Sequence, residues 1–153
     1  MQWLELKIPP LLVWLVIAGA MLGVAESAPR LSFTLAGSPA IALALGTLGV
    51  ALALAGVSAF RDKRTTVNPL TPSACSSVVS SGVYRVSRNP MYLGLLVALA
   101  GWAVYLSNGG AALLLPAFVA YMTQYQIKPE ERVLLTKFGS EFAQYMSRVR
   151  RWL

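Results

Sequence analysis

AIALALGTLGVALALAGVSAF, residues 40–60, carries no charged side chain in 21 positions and is dense in Ala, Leu and Gly. About 20 apolar residues at ~1.5 Å each cross a ~30 Å hydrocarbon core, so this stretch reads as a transmembrane helix. Three more apolar stretches flank it, at about 8–25, 91–107 and 111–127. The first opens at Pro9-Pro10, which suits a helix start. It lacks the basic leader of a signal peptide, because Glu5 and Lys7 cancel, and its apolar run is longer than a leader core; it is read as a membrane helix. The last two are joined by Ser107-Asn108-Gly109-Gly110 and are expected to form a helical hairpin, with Pro116 kinking the second helix.

The whole chain agrees. It has 153 residues, 56% hydrophobic and 12% charged, with a mean hydropathy of +0.60. Soluble domains carry about 25% charged residues. The composition excludes a water-soluble globule, and it is too apolar for disorder. The fold class is therefore all-α: a multi-pass membrane bundle of about four transmembrane helices, one integral membrane domain spanning 1–153.

Charge sets the expected orientation. Twelve of the thirteen basic residues are Lys7, Arg61, Lys63, Arg64, Arg85, Arg88, Lys128, Arg132, Lys137, Arg148, Arg150 and Arg151; only Arg30 falls on the other side. Four helices place both termini, the 61–90 loop and the 128–153 tail on one face, as the positive-inside rule requires. The expectation is a bacterial inner membrane with these parts in the cytoplasm. Glycines Gly19 and Gly23, spaced as GxxxG, and Gly46, Gly49 and Gly56 read as sites of close helix packing.

Composition also limits the chemistry. With no histidine, Ser-His-Asp and Cys-His pairs and imidazole zinc sites are excluded. The single Cys75 cannot form an intramolecular disulfide or a cysteine metal cluster, and its Ser-rich surroundings read as flexible loop without an activating partner. The basic tail interleaves acids and an apolar stripe, which argues against a nucleic-acid partner.

Two polar segments remain. The 61–90 loop has about thirty residues where a connector needs a handful. It closes with Tyr84-Arg85-Val86-Ser87-Arg88-Asn89-Pro90-Met91-Tyr92-Leu93-Gly94, where Asn89-Pro90 signals a turn and helix start and Gly94 leaves room for close approach to the backbone. The tail begins Lys128-Pro129-Glu130-Glu131, with proline and carboxylates suited to a helix opening. Leu134, Phe138, Phe142, Tyr145 and Val149 then form one apolar stripe, with Gly139 interrupting it. Such a helix can also lie on an anionic membrane surface. Read alone, Glu130 and Glu131 are helix N-terminal carboxylates and Tyr92 is an interfacial belt residue.

In these two segments the chain resembles the isoprenylcysteine carboxyl methyltransferase family, which is related to the phospholipid methyltransferases. That family carries Arg-His-Pro-x-Tyr-x-Gly at the start of a membrane helix. Some 35 to 40 residues later follow Glu-Glu, Leu, Phe-Gly, Glu, an aromatic, Tyr and Arg-Val. The matching residues are Arg88-Asn89-Pro90-Met91-Tyr92-Leu93-Gly94, then Glu130-Glu131, Leu134, Phe138-Gly139, Glu141-Phe142, Tyr145 and Arg148-Val149. Asn89 departs from the family's histidine, which leaves the methyl acceptor open.

The resemblance implies an enzyme that binds S-adenosylmethionine, releasing S-adenosylhomocysteine, on the cytoplasmic side. Arg88, Asn89, Pro90, Tyr92, Gly94, Glu130 and Glu131 would bind the cofactor, and Glu131 and Arg148 would serve catalysis. A carboxylate suits an ammonium or ribose hydroxyl, and an aromatic ring suits adenine or a sulfonium. Methyl transfer from a sulfonium is an in-line displacement with a neutral leaving group. It needs no metal and no covalent intermediate, only donor and acceptor held near ~3 Å with water excluded. Arg85, Arg88 and Arg148 are candidates for orienting an anionic acceptor or for setting topology. The acceptor is expected to be a lipophilic small molecule or lipid, with membrane lipids as the other partners. A phospholipid amine or a small thiol is the alternative acceptor, and a non-catalytic membrane scaffold is the alternative from another class.

Overall fold

The structure, a computed structural model, describes residues 5–63 and 70–153. Arg64, whose charge entered the orientation argument, lies outside the described residues. Among them the chain is all helical, with no strand and one isolated backbone bridge between Ser32 and Asn108. The elements are α1 (Pro10–Ser27), α2 (Ser38–Asp62), α3 (Pro90–Leu106), a single turn α4 (Gly109–Ala112), α5 (Leu114–Met122), a π-turn (Thr123–Ile127) and α6 (Lys128–Arg148). Prolines sit in the first turns of α1, α2 and α3, where the missing N–H has no intrahelical acceptor to lose.

The first three helices follow the expected boundaries closely; the fourth does not. In place of one helix over 111–127 the chain makes α4, a break at Leu113, α5 and the π-turn. Pro116 accounts for the break, because it has no N–H to offer the Ala112 carbonyl. Pro129 accounts for the π-turn in the same way. Its ring has no N–H to give the Tyr125 carbonyl the i+4 bond of an α-helix, the turn widens, and the Leu6 N–H donates to that carbonyl at 3.0 Å.

Two helices, α1 and α2, are long and apolar enough to cross a membrane; α3, with 17 residues, is apolar but shorter. Only 17% of the most apolar window of α1 and 11% of that of α2 are buried. Leu11, Leu15, Val16, Leu43, Val50 and Leu54 point outward. Such helices are not core helices of a soluble protein, and their faces suit a lipid solvent.

Helix α3 lies at the centre. It meets α2 backbone to backbone: a Cβ on Gly49 would stand 2.5 Å from the Gly94 carbonyl oxygen, and one on Gly94 would collide with the Gly49 carbonyl. The expected contact through Gly19 and Gly23 is not made. Nothing lies within 4 Å of where their side chains would be, nor at Gly46. Instead α1 is tied to α3 by indoles, with Trp14 Nε1 donating to Leu95 O at 2.9 Å and Trp102 Nε1 to Ala18 O at 3.0 Å. Met21, Leu99, Phe118, Met122 and Ile127 fill the core between them.

Buried Asn108 joins the loops at one end of the bundle, its Nδ2 donating to Ala28 O and Ser32 Oγ, both at 3.0 Å. At the other end Gln126 Nε2 donates to Ile8 O at 2.6 Å, and α6 packs on the segment before α3. Gly139, at φ 51°, divides α6 as its residue type suggests. Phe142 and Tyr145 then pack on Ala59, Val79 and Tyr84, so the apolar stripe of the tail is covered by the protein itself.

Candidate functional site

Four pieces of chain enclose a cavity of about 630 Å³ including its mouth: the end of α2, the segment from Cys75 to Tyr84, the start of α3, and α6 with the π-turn before it. The space open within it to a water-sized body is about 50 Å³, below the range of ligand pockets, so a ligand of nucleoside size would need the walls to move apart. Phe60, Val79, Tyr84, Ile127, Leu134, Phe142 and Tyr145 supply apolar and aromatic walls. Arg88, Asn89, Tyr92, Glu130 and Glu131 supply polar groups.

The two adjacent carboxylates have different environments. Glu130 accepts a 3.2 Å hydrogen bond from the Tyr92 hydroxyl and faces the apolar wall. Burial pushes its carboxyl from the ordinary 4.5 up to about 7, opposed by the Tyr92 hydrogen bond and aided by the charge of Glu131. Glu131 is held by two guanidinium groups. Arg88 Nη2 lies 3.0 Å from Oε1, while Arg151 grips both oxygens, Nε to Oε1 at 3.1 Å and Nη2 to Oε2 at 2.7 Å. The hydrogen bond to Glu131 raises Arg151 further above its usual range. Arg88, Arg151 and Glu131 together form a cluster of two cations around one carboxylate.

Arg88 is not saturated. Its Nε and Nη1 are buried and have no hydrogen-bond partner among the described residues; the same holds for Ser77 Oγ on the cavity wall. Leaving a buried donor unpaired costs about 1–3 kcal/mol, which makes these atoms candidates for holding an anionic or polar ligand group. Tyr84 and Tyr145 are pushed up by burial, and their phenols stay neutral; Tyr145 donates to Tyr84 O at 2.8 Å.

After Arg148 the chain leaves the helix, Val149 being extended, and residues 149–153 run across the site as a strap. The Arg88 N–H donates to Arg150 O at 3.0 Å and Asn89 Nδ2 to Arg151 O at 2.9 Å. Trp152 Nε1 donates to Thr123 Oγ1 at 3.1 Å, anchoring the strap on the π-turn.

Of the residues singled out from sequence, Arg88, Asn89, Tyr92, Glu130 and Glu131 come together around the cavity. Pro90 and Gly94 do not reach it: both are buried toward α2, Pro90 against Gly56 and Gly94 against Gly49. The space that Gly94 leaves is taken by a neighbouring helix. Arg148 is exposed, its Nε bonded to Gln144 O of its own helix, in a surface cleft with Arg85 and Glu141. Cys75, read as part of a flexible loop, is buried in the cavity wall. Arg151 was missed as a site residue because its sequence signal, a basic residue in a basic terminus, is the same as that of a topology charge.

The helices close over a pocket of carboxylates, guanidinium groups and aromatic rings. The chain matches the phospholipid methyltransferase family over residues 38–141 and belongs to it. It is 44% identical over 63 residues to an uncharacterized protein of Haemophilus influenzae, an alignment covering 41% of this chain and all of that one. It is 33% identical over 72 residues to protein-S-isoprenylcysteine O-methyltransferase B of Arabidopsis thaliana, covering 47% of this chain and 36% of the relative. The chain thus spans about a third of the plant protein's length. No solved structure matches it. Family and apolar helices together make this a membrane protein of the methyltransferase class.

Proposed function

We propose that the protein is an S-adenosylmethionine-dependent methyltransferase acting on a lipophilic acceptor by direct in-line transfer. The observation that carries this reading is the cavity itself, with the unpaired Nε and Nη1 of Arg88, the Glu130 carboxylate and a ring of aromatic side chains in one enclosure. In chemistry, though not in the space now open, the groups present fit the cofactor. Arg88 would take its carboxylate, Glu130 its ammonium or a ribose hydroxyl, and Tyr84, Tyr92 and Phe142 the adenine or the sulfonium. When bound, the cofactor supplies an activated methyl group on a leaving group that departs neutral. The chain's own residues do the rest. Glu130 offers negative charge beside a cation, Arg88 fixes the anionic end, and the apolar wall excludes water. With a carboxyl near 7, Glu130 can also hold a proton released by an amine or thiol acceptor.

An apolar groove apart from the cavity, sharing no lining residue with it, supports a lipophilic acceptor. The groove, lined by Leu11, Trp14, Leu43, Val50, Leu95 and Trp102, runs between α1 and α2 over α3, almost wholly apolar, and suits acyl or prenyl chains. We place the four apolar stretches across the membrane, with the 61–90 loop and the tail on the cytoplasmic side where the cofactor is dissolved.

Calorimetric titration of S-adenosylmethionine and S-adenosylhomocysteine into detergent-purified protein tests the reading. Saturable binding of both, followed by methyl transfer to a lipophilic acceptor, is the expected result. No binding by protein whose circular dichroism shows it folded would sink it and favour a scaffold role.

A further inference from the structure

We infer that Arg151 is a positioning residue that builds a carboxylate subsite out of Arg88. This rests on the reading of the cavity as a cofactor site. Glu131 is shared between two guanidinium groups, and Arg151 makes the closer, two-pronged grip. That grip fixes the carboxylate so that Arg88 meets it through Nη2 alone. The Nε and Nη1 of Arg88, a residue of the cavity wall, are left buried and unpaired among the described residues. Without Arg151, Glu131 is free to swing and take Arg88 in a two-pronged pair of its own, the geometry arginine prefers with carboxylates. The donors a ligand needs would then be consumed inside the protein.

Arg151 reaches this position because the strap backbone is pinned at Arg151 and just before it: Arg150 O accepts from the Arg88 N–H and Arg151 O accepts from Asn89 Nδ2. Arg88 and Glu131 are both largely buried, with side-chain exposures of 10% and 12%. The subsite has the chemistry of an α-carboxylate, the amino-acid end of the cofactor.

The test compares two ligands. S-adenosylhomocysteine carries the amino-acid end, and 5′-methylthioadenosine is the same nucleoside thioether without it. Arg151→Gln is expected to weaken S-adenosylhomocysteine by about tenfold or more while leaving 5′-methylthioadenosine within about twofold. Arg151→Lys keeps the charge but not the two-pronged geometry; it should show the same discrimination to a smaller extent, and serves if Arg151→Gln does not fold. Trp152→Phe, which frees the strap from Thr123, should leave both affinities near those of the unaltered protein. Unchanged S-adenosylhomocysteine affinity in Arg151→Gln overturns the inference. So does equal loss of both ligands, or a Trp152→Phe variant that behaves like Arg151→Gln, since either means a merely structural strap. Failure of the unaltered protein to bind either ligand is a different result: it removes the cofactor reading and this inference with it.

Discussion

Glu130→Gln should make the protein more stable at neutral pH and leave it unchanged in acid. The carboxyl of Glu130 stands near 7 in the folded protein against an ordinary 4.5, chiefly because it is buried. A raised carboxyl favours the folded state while protonated. Its contribution is therefore fully present below 4.5 and is lost as pH rises toward 7, where folding must bury the charge. The span of the shift corresponds to about 3 kcal/mol at most. Glutamine keeps the shape, and its amide oxygen can still accept from Tyr92, but it carries no charge. The variant should match the unaltered protein at pH 4.5 and gain steadily up to pH 7. Above that the gain should level at about 3 kcal/mol, a rise in melting temperature on the order of 5–10 °C for a chain of this size. The four tryptophans report unfolding in detergent by their own fluorescence. Melting curves that run parallel from pH 4.5 to 8 would refute the reasoning, because they would mean that Glu130 is solvated.

Other substitutions test other parts of the argument. Gly94→Val drives a side chain into the α2 backbone and should cost several kcal/mol or abolish folding, whereas Gly23→Ala meets nothing within 4 Å and should change thermal stability by less than about 0.5 kcal/mol. Pro129→Ala restores an N–H for the Tyr125 carbonyl, so the π-turn should tighten and turn Glu130 and Glu131 out of register; hydrogen exchange should show the Leu6 amide losing protection, and cofactor affinity should fall at least tenfold. Arg148→Gln should leave S-adenosylhomocysteine affinity within about twofold, while Arg88→Gln should lower it by tenfold or more, both read by calorimetry.

Helix positions were legible in the sequence wherever hydropathy and proline agreed. The stretches 8–25, 40–60 and 91–107 begin and end within about two residues of α1, α2 and α3, because desolvation of a helix depends on local composition. Gly139 was legible for the same reason, its interruption being a local backbone property. What was not legible depends on tertiary neighbours. Whether Gly94 opens toward a ligand or a helix is decided by α2, forty residues earlier. Arg148 and Arg151 look alike in sequence. The resemblance put Arg148 at the site; in the structure the helix ends at Arg148, whose side chain is on the surface, and the extended strap that follows brings Arg151 to Glu131. Cys75 gave no sign of burial, because the loop around it orders only by packing on α6 and the end of α2.

The division of labour between Glu130 and Glu131 has a single origin in Pro129. Adjacent residues on a helix point about 100° apart, so a Glu-Glu pair always addresses two directions; what matters is which ones. Pro129 cannot continue the hydrogen-bond ladder from Tyr125, and the resulting wide turn sets the rotation at which α6 starts. At that rotation Glu130 meets Tyr92 and the apolar wall, while Glu131 meets Arg88 and Arg151. One carboxylate is left able to exchange a proton near neutral pH, and the other is committed to holding cations in place. Neither role is available to a pair at the free N-terminus of a helix, where both would be solvated and serve only the dipole. The acids after Pro129 are thus better understood through the turn before them than through the helix they open.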